Sequence, residues 1–180
     1  YNTSTSGGGV TIHAGGNIGT ANFDLYSVPG SNGSDSVFQL DTTISDLAAD
    51  PPRFFASVLG AWPDTYRLQP AAIRFECPNS GCRQALADKI AANPGRVIWI
   101  PGDLTLDTAG DVGSLPDPAV LTEAGPAVIV ATGRVRFLAA ARIYGLVYTQ
   151  SGNWEGSGEI LGAAVVQDNL AAAAAPTVVM

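Results

Sequence analysis

PAVIVATGRVRFLAAARI (126–143), YGLVYTQSGNWEGSGEI (144–160) and LGAAVVQDNLAAAAAPTVV (161–179) follow one another without a break and repeat one another. Each holds an apolar run, a polar corner and a return to an apolar residue. Gly145 recurs at Gly162, Val147 at Ala164 and Ile143 at Ile160, all at one constant spacing. At roughly 3.3 Å per residue such a unit holds about two or three short strands, too few to bury an apolar face alone. Successive units must therefore stack on one another.

The corner that ends each run is written elsewhere in the chain. Gly16-Asn17, Gly102-Asp103-Leu104, Gly133-Arg134-Val135, Gly152-Asn153-Trp154 and Asp168-Asn169-Leu170 each set a turn-forming pair before an apolar residue that points inward. Val10–Leu25 is thus predicted to be a first, distant unit of the same stack. In Val128-Ile129-Val130-Ala131, Leu146-Val147-Tyr148-Thr149 and Ala163-Ala164-Val165-Val166 both alternating sets are apolar, whereas a half-solvated strand carries polar residues at every second position. One set lines an interior. The other is expected to lie under an insert, a partner or a further helix, and Tyr144, Leu146 and Tyr148 are assigned to it.

Between the first unit and the run Val97-Ile98-Trp99-Ile100 the period changes. Pro51–Gly60 places prolines at a first helical turn, Phe54, Phe55, Val58 and Leu59 at helical spacing and a glycine at its end, which predicts a short helix. Gly81–Ala92 predicts a second, with Leu86 and Ile90 on one face. Asp111–Gly125, rich in proline and glycine, is expected to be a loop between units. The predicted architecture is mainly β: a right-handed parallel β-solenoid over residues 10–180 with a helical, disulfide-containing insert at about 46–95, preceded by a flexible polar linker at 1–9.

Composition narrows the function. Charged residues make up 14% of the 180-residue chain while glycines number 21 and prolines 12, the make-up of a turn-rich β protein. A net charge of −7, with nine Lys and Arg scattered singly, excludes a surface that neutralises a run of phosphates, so no nucleic-acid partner is expected. Cys77 and Cys82 flank Pro-Asn-Ser-Gly, a set of turn formers that brings the two within bridging range. They are read as a disulfide, because a zinc site needs further ligands and the single histidine, His13, is distant in sequence. A disulfide implies a home outside the cytoplasm. No run reaches the roughly 18 apolar residues of a membrane span. The chain opens on Tyr1 rather than Met, and a targeting or anchoring part is expected to precede it.

Chemistry is sparsely represented. His13 stands in an alternating strand with no Gly-x-Ser-x-Gly motif anywhere to supply a framed nucleophile, so no catalytic residue is assigned and no enzyme is expected. Asp103, Asp107 and Asp111 recur at four-residue intervals in a region of strands and corners; solvated turn aspartates or a weak calcium site are the open readings, and no metal or cofactor is assigned. Trp99 and Trp154 are open between sugar platforms and stacking residues within the fold.

Several stretches taken in order resemble the C-terminal region of PilX-type type IV pilus assembly proteins, relatives of the minor pilins. They are the helix around Phe54-Phe55, the Cys77…Cys82 spacing, Val97-Ile98-Trp99-Ile100-Pro101-Gly102-Asp103-Leu104, Pro126–Val130, Ile143–Tyr148, Gly162–Val166 and Pro176–Val179. Ala171–Ala175 departs from the family, whose members carry Asn, Gly and Ser there, and the N-terminal apolar helix that defines pilin-like proteins is not in this chain. The resemblance implies a structural minor pilin-like subunit that primes pilus assembly and sits in a tip complex. Its partners would be other minor pilins, major pilin subunits and a tip adhesin; it would be anchored in the inner membrane by an N-terminal helix before assembly and be periplasmic or extracellular in its soluble part. Docking is assigned to Tyr144, Leu146, Tyr148 and Trp154. The alternative is an extracellular carbohydrate-binding or carbohydrate-cleaving β-solenoid.

Overall fold

The computed structural model describes residues 12–17, 37–114, 125–168, 171–172 and 177–179, with the backbone alone at 37, 171–172 and 177–179. The linker expected at 1–9, most of Val10–Leu25 and the corner residues Asn169 and Leu170 lie outside the described residues. In chain order the first elements are β1 (Ile12–His13), β2 (Val37–Phe38), α1 (Thr42–Ala48), α2 (Pro51–Leu59), α3 (Pro63–Tyr66), β3 (Ala72–Arg74) and α4 (Cys82–Ala91). Strands then follow in close succession: β4 (Val97–Ile100), β5 (Leu104–Leu106), β6 (Gly110–Val112), β7 (Ala127–Ala131), β8 (Val135–Phe137) and β9 (Ala141–Thr149). The last are β10 (Asn153–Gly156), β11 (Glu159–Val166), β12 (Ala171–Ala172) and β13 (Thr177–Val179).

The chain is mainly β, and its strands pair in parallel. One sheet has seven strands, in the order β13-β11-β9-β7-β4-β3 with β6 also on β9; the other has four, β12-β10-β8-β5. From β4 onward the chain passes between the two sheets, so that neighbours within a sheet are separated in sequence by a strand of the other sheet. Ile160 lies opposite Ile143, Gly162 opposite Gly145 and Ala164 opposite Val147, the same displacement that the repeat predicts. Closely related displacements hold elsewhere: Ala127 lies opposite Gly145, and Val135 opposite Trp154.

Three pairings are displaced nearly twice as far along the chain: Val97 with Val128, Leu104 with Val135 and Gly110 with Ala141. The cause is an insertion inside one line of strand. β6 pairs with the first part of β9 and β7 with the second, so Gly113–Pro126 is inserted where β9 has only Tyr144. Ser114 N–H donates to Gly125 O (2.9 Å) and closes the base of this excursion. The loop expected at Asp111–Gly125 therefore starts at Gly113, and Asp111 and Val112 belong to β6. The predicted first unit is also revised: within its described residues, 12–17, β1 pairs with β2 in a separate two-stranded sheet and with neither large sheet.

Inward side chains form a continuous aliphatic core. Ile98, Ile129 and Val147 stand in register across β4, β7 and β9, all fully buried, and Leu104, Val135 and Trp154 do the same across β5, β8 and β10. α4 closes one end of this core. It packs on β5 and β6, and Cys82, Leu86 and Ile90, spaced to share one helical face, join the interior cluster. Cys77 and Cys82 are disulfide-bonded, with Cα atoms 5.0 Å apart. Both predicted helices are present as α2 and α4. α1 and α3 are additional to them.

Glycine is required at one column of the ladder. Gly145 and Gly162, opposite each other, have φ of 139° and 143°, and a Cβ would stand 1.9 Å from Ala127 O at Gly145 and 2.2 Å from Gly145 O at Gly162. Those are backbone atoms that cannot move without parting the strands. Gly145→Ala is expected to cost about 2 kcal/mol or more, seen as a lower urea midpoint. An unchanged midpoint would contradict so close an approach of β7 and β9.

Candidate docking surface

The outward faces of the two sheets differ in chemistry. On the four-stranded sheet Thr105, Arg136 and Glu155 share one register row, Arg136 pairs with Glu155 at 3.2 Å, and Arg134 pairs with Asp103 at 3.2 Å. These pairs are partly exposed and each contributes little to stability. They make a solvated face. Asp111 pairs with Arg142 at 2.9 Å, while Asp107 caps α4 by accepting from the backbone N–H groups of Gly81 and Arg83. The bond from Gly81 is the first cause that holds the Asp107 carboxyl below its ordinary value. The three aspartates thus point to three different partners, and no group of three or more His, Cys, Asp and Glu converges among the described residues.

On the seven-stranded sheet the outward rows from Trp99 to Tyr144 are apolar across β4, β7, β9 and β11, and a charged row of Asp111, Arg142 and Glu159 lies beyond them. α2 lies over one apolar row. Trp99, Val130, Tyr148 and Val165 are in register across β4, β7, β9 and β11. Phe55 sits edge-on to Tyr148 and Trp99, with ring centroids 5.0 Å and 5.8 Å away, and Phe54 and Tyr66 complete the cluster. The sequence forms this helix locally through Asp50, whose carboxylate accepts from Arg53 N–H, Pro51 in the first turn, and Gly60 in the left-handed conformation at the end. Burial of each phenyl ring contributes roughly 1.5–3 kcal/mol. The helix therefore seals part of the second apolar face.

That seal is incomplete. The next outward row runs Val97, Val128, Leu146, Ala163 and the one beyond it contains Tyr144 and Leu161. Val97 is buried, but Val128, Tyr144, Leu146 and Leu161 are half-buried and Ala163 is exposed. They form an apolar strip beside α2. A shallow hollow of about 240 Å³, lined by Asp111, Gly113, Ser114 and Tyr144, adjoins its end.

Of the four residues assigned to docking, two lie on this strip and two do not. Tyr144 and Leu146 are on it. Tyr148 belongs to the outward set to which it is assigned, yet it is 0% exposed because α2 covers it. Its hydroxyl donates to Gln167 Oε1 at 2.6 Å, and burial pushes its phenol above the usual range. Trp154 faces the interior, 2% exposed, and its Nε1–H donates to Thr149 Oγ1 at 3.1 Å. Neither has surface left for a partner. Trp99, buried under Phe55, and Trp154, buried in the interior, have no open ring face to offer a sugar.

Sequence reasoning did not single out Trp62 and Leu68, which are 54% and 80% exposed around α3. A tryptophan immediately before Pro63 signals a helix start but not whether the ring is covered. His13 has a structural role: its Nε2 is 2.6 Å from Asp41 Oδ2, and the other Asp41 oxygen accepts from Thr43 N–H at the start of α1. The His13 bond, followed by that from Thr43, holds the Asp41 carboxyl below its ordinary value. Ser45 Oγ–H also donates to Gly15 O at 2.6 Å, so the 12–17 segment is tied to α1 twice.

Comparison with protein-family models, with curated proteins and with solved structures finds no match to this chain.

The buried phenol has a pH consequence. Folding favours the neutral form of Tyr148, so its contribution is complete below its unfolded value near 10.0 and is lost as pH rises beyond it. The wild-type protein is expected to lose stability above about pH 10 more steeply than Tyr148→Phe, which keeps the ring and cannot ionise. Equal slopes in denaturant titrations of the two proteins would contradict the burial of this hydroxyl.

Proposed function

We propose that this chain is the head of a structural, partner-docking subunit, built as a right-handed parallel β-solenoid and acting in type IV pilus assembly as a minor pilin-like protein. The solenoid is supported by parallel pairing at near-constant displacements along the repeat and by the passage of the chain between two sheets. The docking role is carried by one observation: α2 covers the Tyr148 row of an apolar sheet face and leaves Tyr144, Leu146, Leu161 and Ala163 partly open beside it. None of those residues is charged, and the Asp111–Arg142 ion pair with Glu159 borders the strip on one side as a polar rim. Depletion of charge at a contiguous apolar surface is characteristic of the centre of an interface.

In this role the ladder is a rigid platform and the strip buries against neighbouring pilus subunits, while a preceding apolar helix anchors the full-length protein in the inner membrane before assembly. Other minor pilins, major pilin subunits and a tip adhesin are the partners that the sequence resemblance implies. The disulfide fits a periplasmic or extracellular site of action.

The test is made in full-length protein in cells that assemble pili. Leu146→Asp and Ala163→Asp are expected to leave the circular dichroism and thermal midpoint of the purified domain within a few degrees of wild type while reducing surface pili at least tenfold. Ala163, already exposed, guards against a folding defect at the half-buried leucine. Wild-type piliation in a folded Ala163→Asp variant would contradict the docking role of the strip.

A further inference from the structure

We propose that the Cys77–Cys82 bridge is an exchangeable disulfide that opens at Cys77, making Cys77 a site of mixed-disulfide formation with a small-molecule thiol. Three observations lead there. The bridge forms part of the wall of an open groove of about 540 Å³, shared with Pro78, Asp103, Asp107, Arg136 and Leu138 on the outward side of the four-stranded sheet. Its two halves are unequal: Cys82 is 1% exposed and packed in the interior cluster, whereas Cys77 is only partly buried. The bridge also joins cysteines close together in sequence, so its opening frees a short loop rather than a domain.

In the exchange an incoming thiolate attacks Cys77 Sγ. A new S–S bond forms there as the Sγ–Sγ bond breaks, and the electron pair leaves on Cys82 Sγ, which takes a proton from solvent. A second thiol equivalent then releases the attached group as its own disulfide and leaves Cys77 reduced, two electrons and two protons having entered in all. Accessibility decides which sulfur is attacked. The first turn of α4 favours a thiolate at Cys82, but the Asp107 carboxylate already accepts from Gly81 and Arg83 N–H and opposes it. Reduction leaves the fold standing, because α4 keeps its Asp107 cap and its buried Leu86 and Ile90.

The experiment exposes the native oxidised protein to reduced glutathione, quenches with N-ethylmaleimide and maps adducts by mass spectrometry. Glutathione is expected on Cys77 at least tenfold more than on Cys82. In single variants without denaturant, iodoacetamide is expected to label Cys77 in Cys82→Ser at least tenfold faster than Cys82 in Cys77→Ser. After full reduction, amide protection is expected to fall across residues 76–81 and to persist in β9 and β11. Equal or reversed labelling would overturn the assignment to Cys77, and adducts that form only at denaturant concentrations where β9 exchanges would overturn local opening.

Discussion

A one-residue slip in any parallel pairing would exchange the inward and outward side chains of a strand, and over the middle of the seven-stranded sheet polarity alone does not forbid it. The inward row Ile98, Ile129, Val147 and the outward row Trp99, Val130, Tyr148 are both buried and apolar. Shape must hold the register instead. The inward side takes Ile, Val and Ala, while the outward side carries the rings that meet Phe54 and Phe55 of α2. The Gly145–Gly162 column adds a steric lock, since a slip would bring a Cβ to a place where a backbone oxygen stands 1.9 Å away at Gly145 and 2.2 Å away at Gly162. The four-stranded sheet supplies the remaining constraint, because a slip there would bury Arg136 and Glu155 in an aliphatic core.

Two helices cover what the ladder cannot cover for itself, and they do different work. α4 closes the core where β5 and β6 have no further strand, and the disulfide together with the Asp107 cap fixes its first turn. α2 lies across the outward apolar face and converts Tyr148 from surface to core. The limit of α2 defines the strip at Tyr144 and Leu146. In the proposed docking role the contact surface is simply the place where coverage stops, with no special residue needed to mark it.

The C-terminal ladder was legible in the sequence because its signal is local: the residues that repeat at a constant spacing are the residues that pair. The alternation that groups Tyr144, Leu146 and Tyr148 on one face, the two helices with proline starts or glycine ends, and the disulfide across four turn formers were legible for the same reason; which face points outward was not. What lies over a strand was not. Tyr148 is covered by Phe54 and Phe55, which belong to a distant part of the chain, and no local pattern reports such a contact. The insertion between β6 and β7 was misplaced because a break within a strand line and a loop between strands have the same composition. Trp154 was assigned both as the inward residue of a corner and as a docking residue, and its bond to buried Thr149 decides for the interior.

The register itself is the quantity on which both the core and the strip depend, and NMR reads it without a variant. In a ¹³C,¹⁵N-labelled sample, interstrand Hα–HN contacts are expected to join Ile143 with Ile160, Val147 with Ala164 and Tyr148 with Val165 and their immediate neighbours, in the evenly spaced pattern of parallel strands. Close Hα–Hα contacts of an antiparallel hairpin between 141–149 and 159–166, or parallel contacts displaced by one residue, would contradict it.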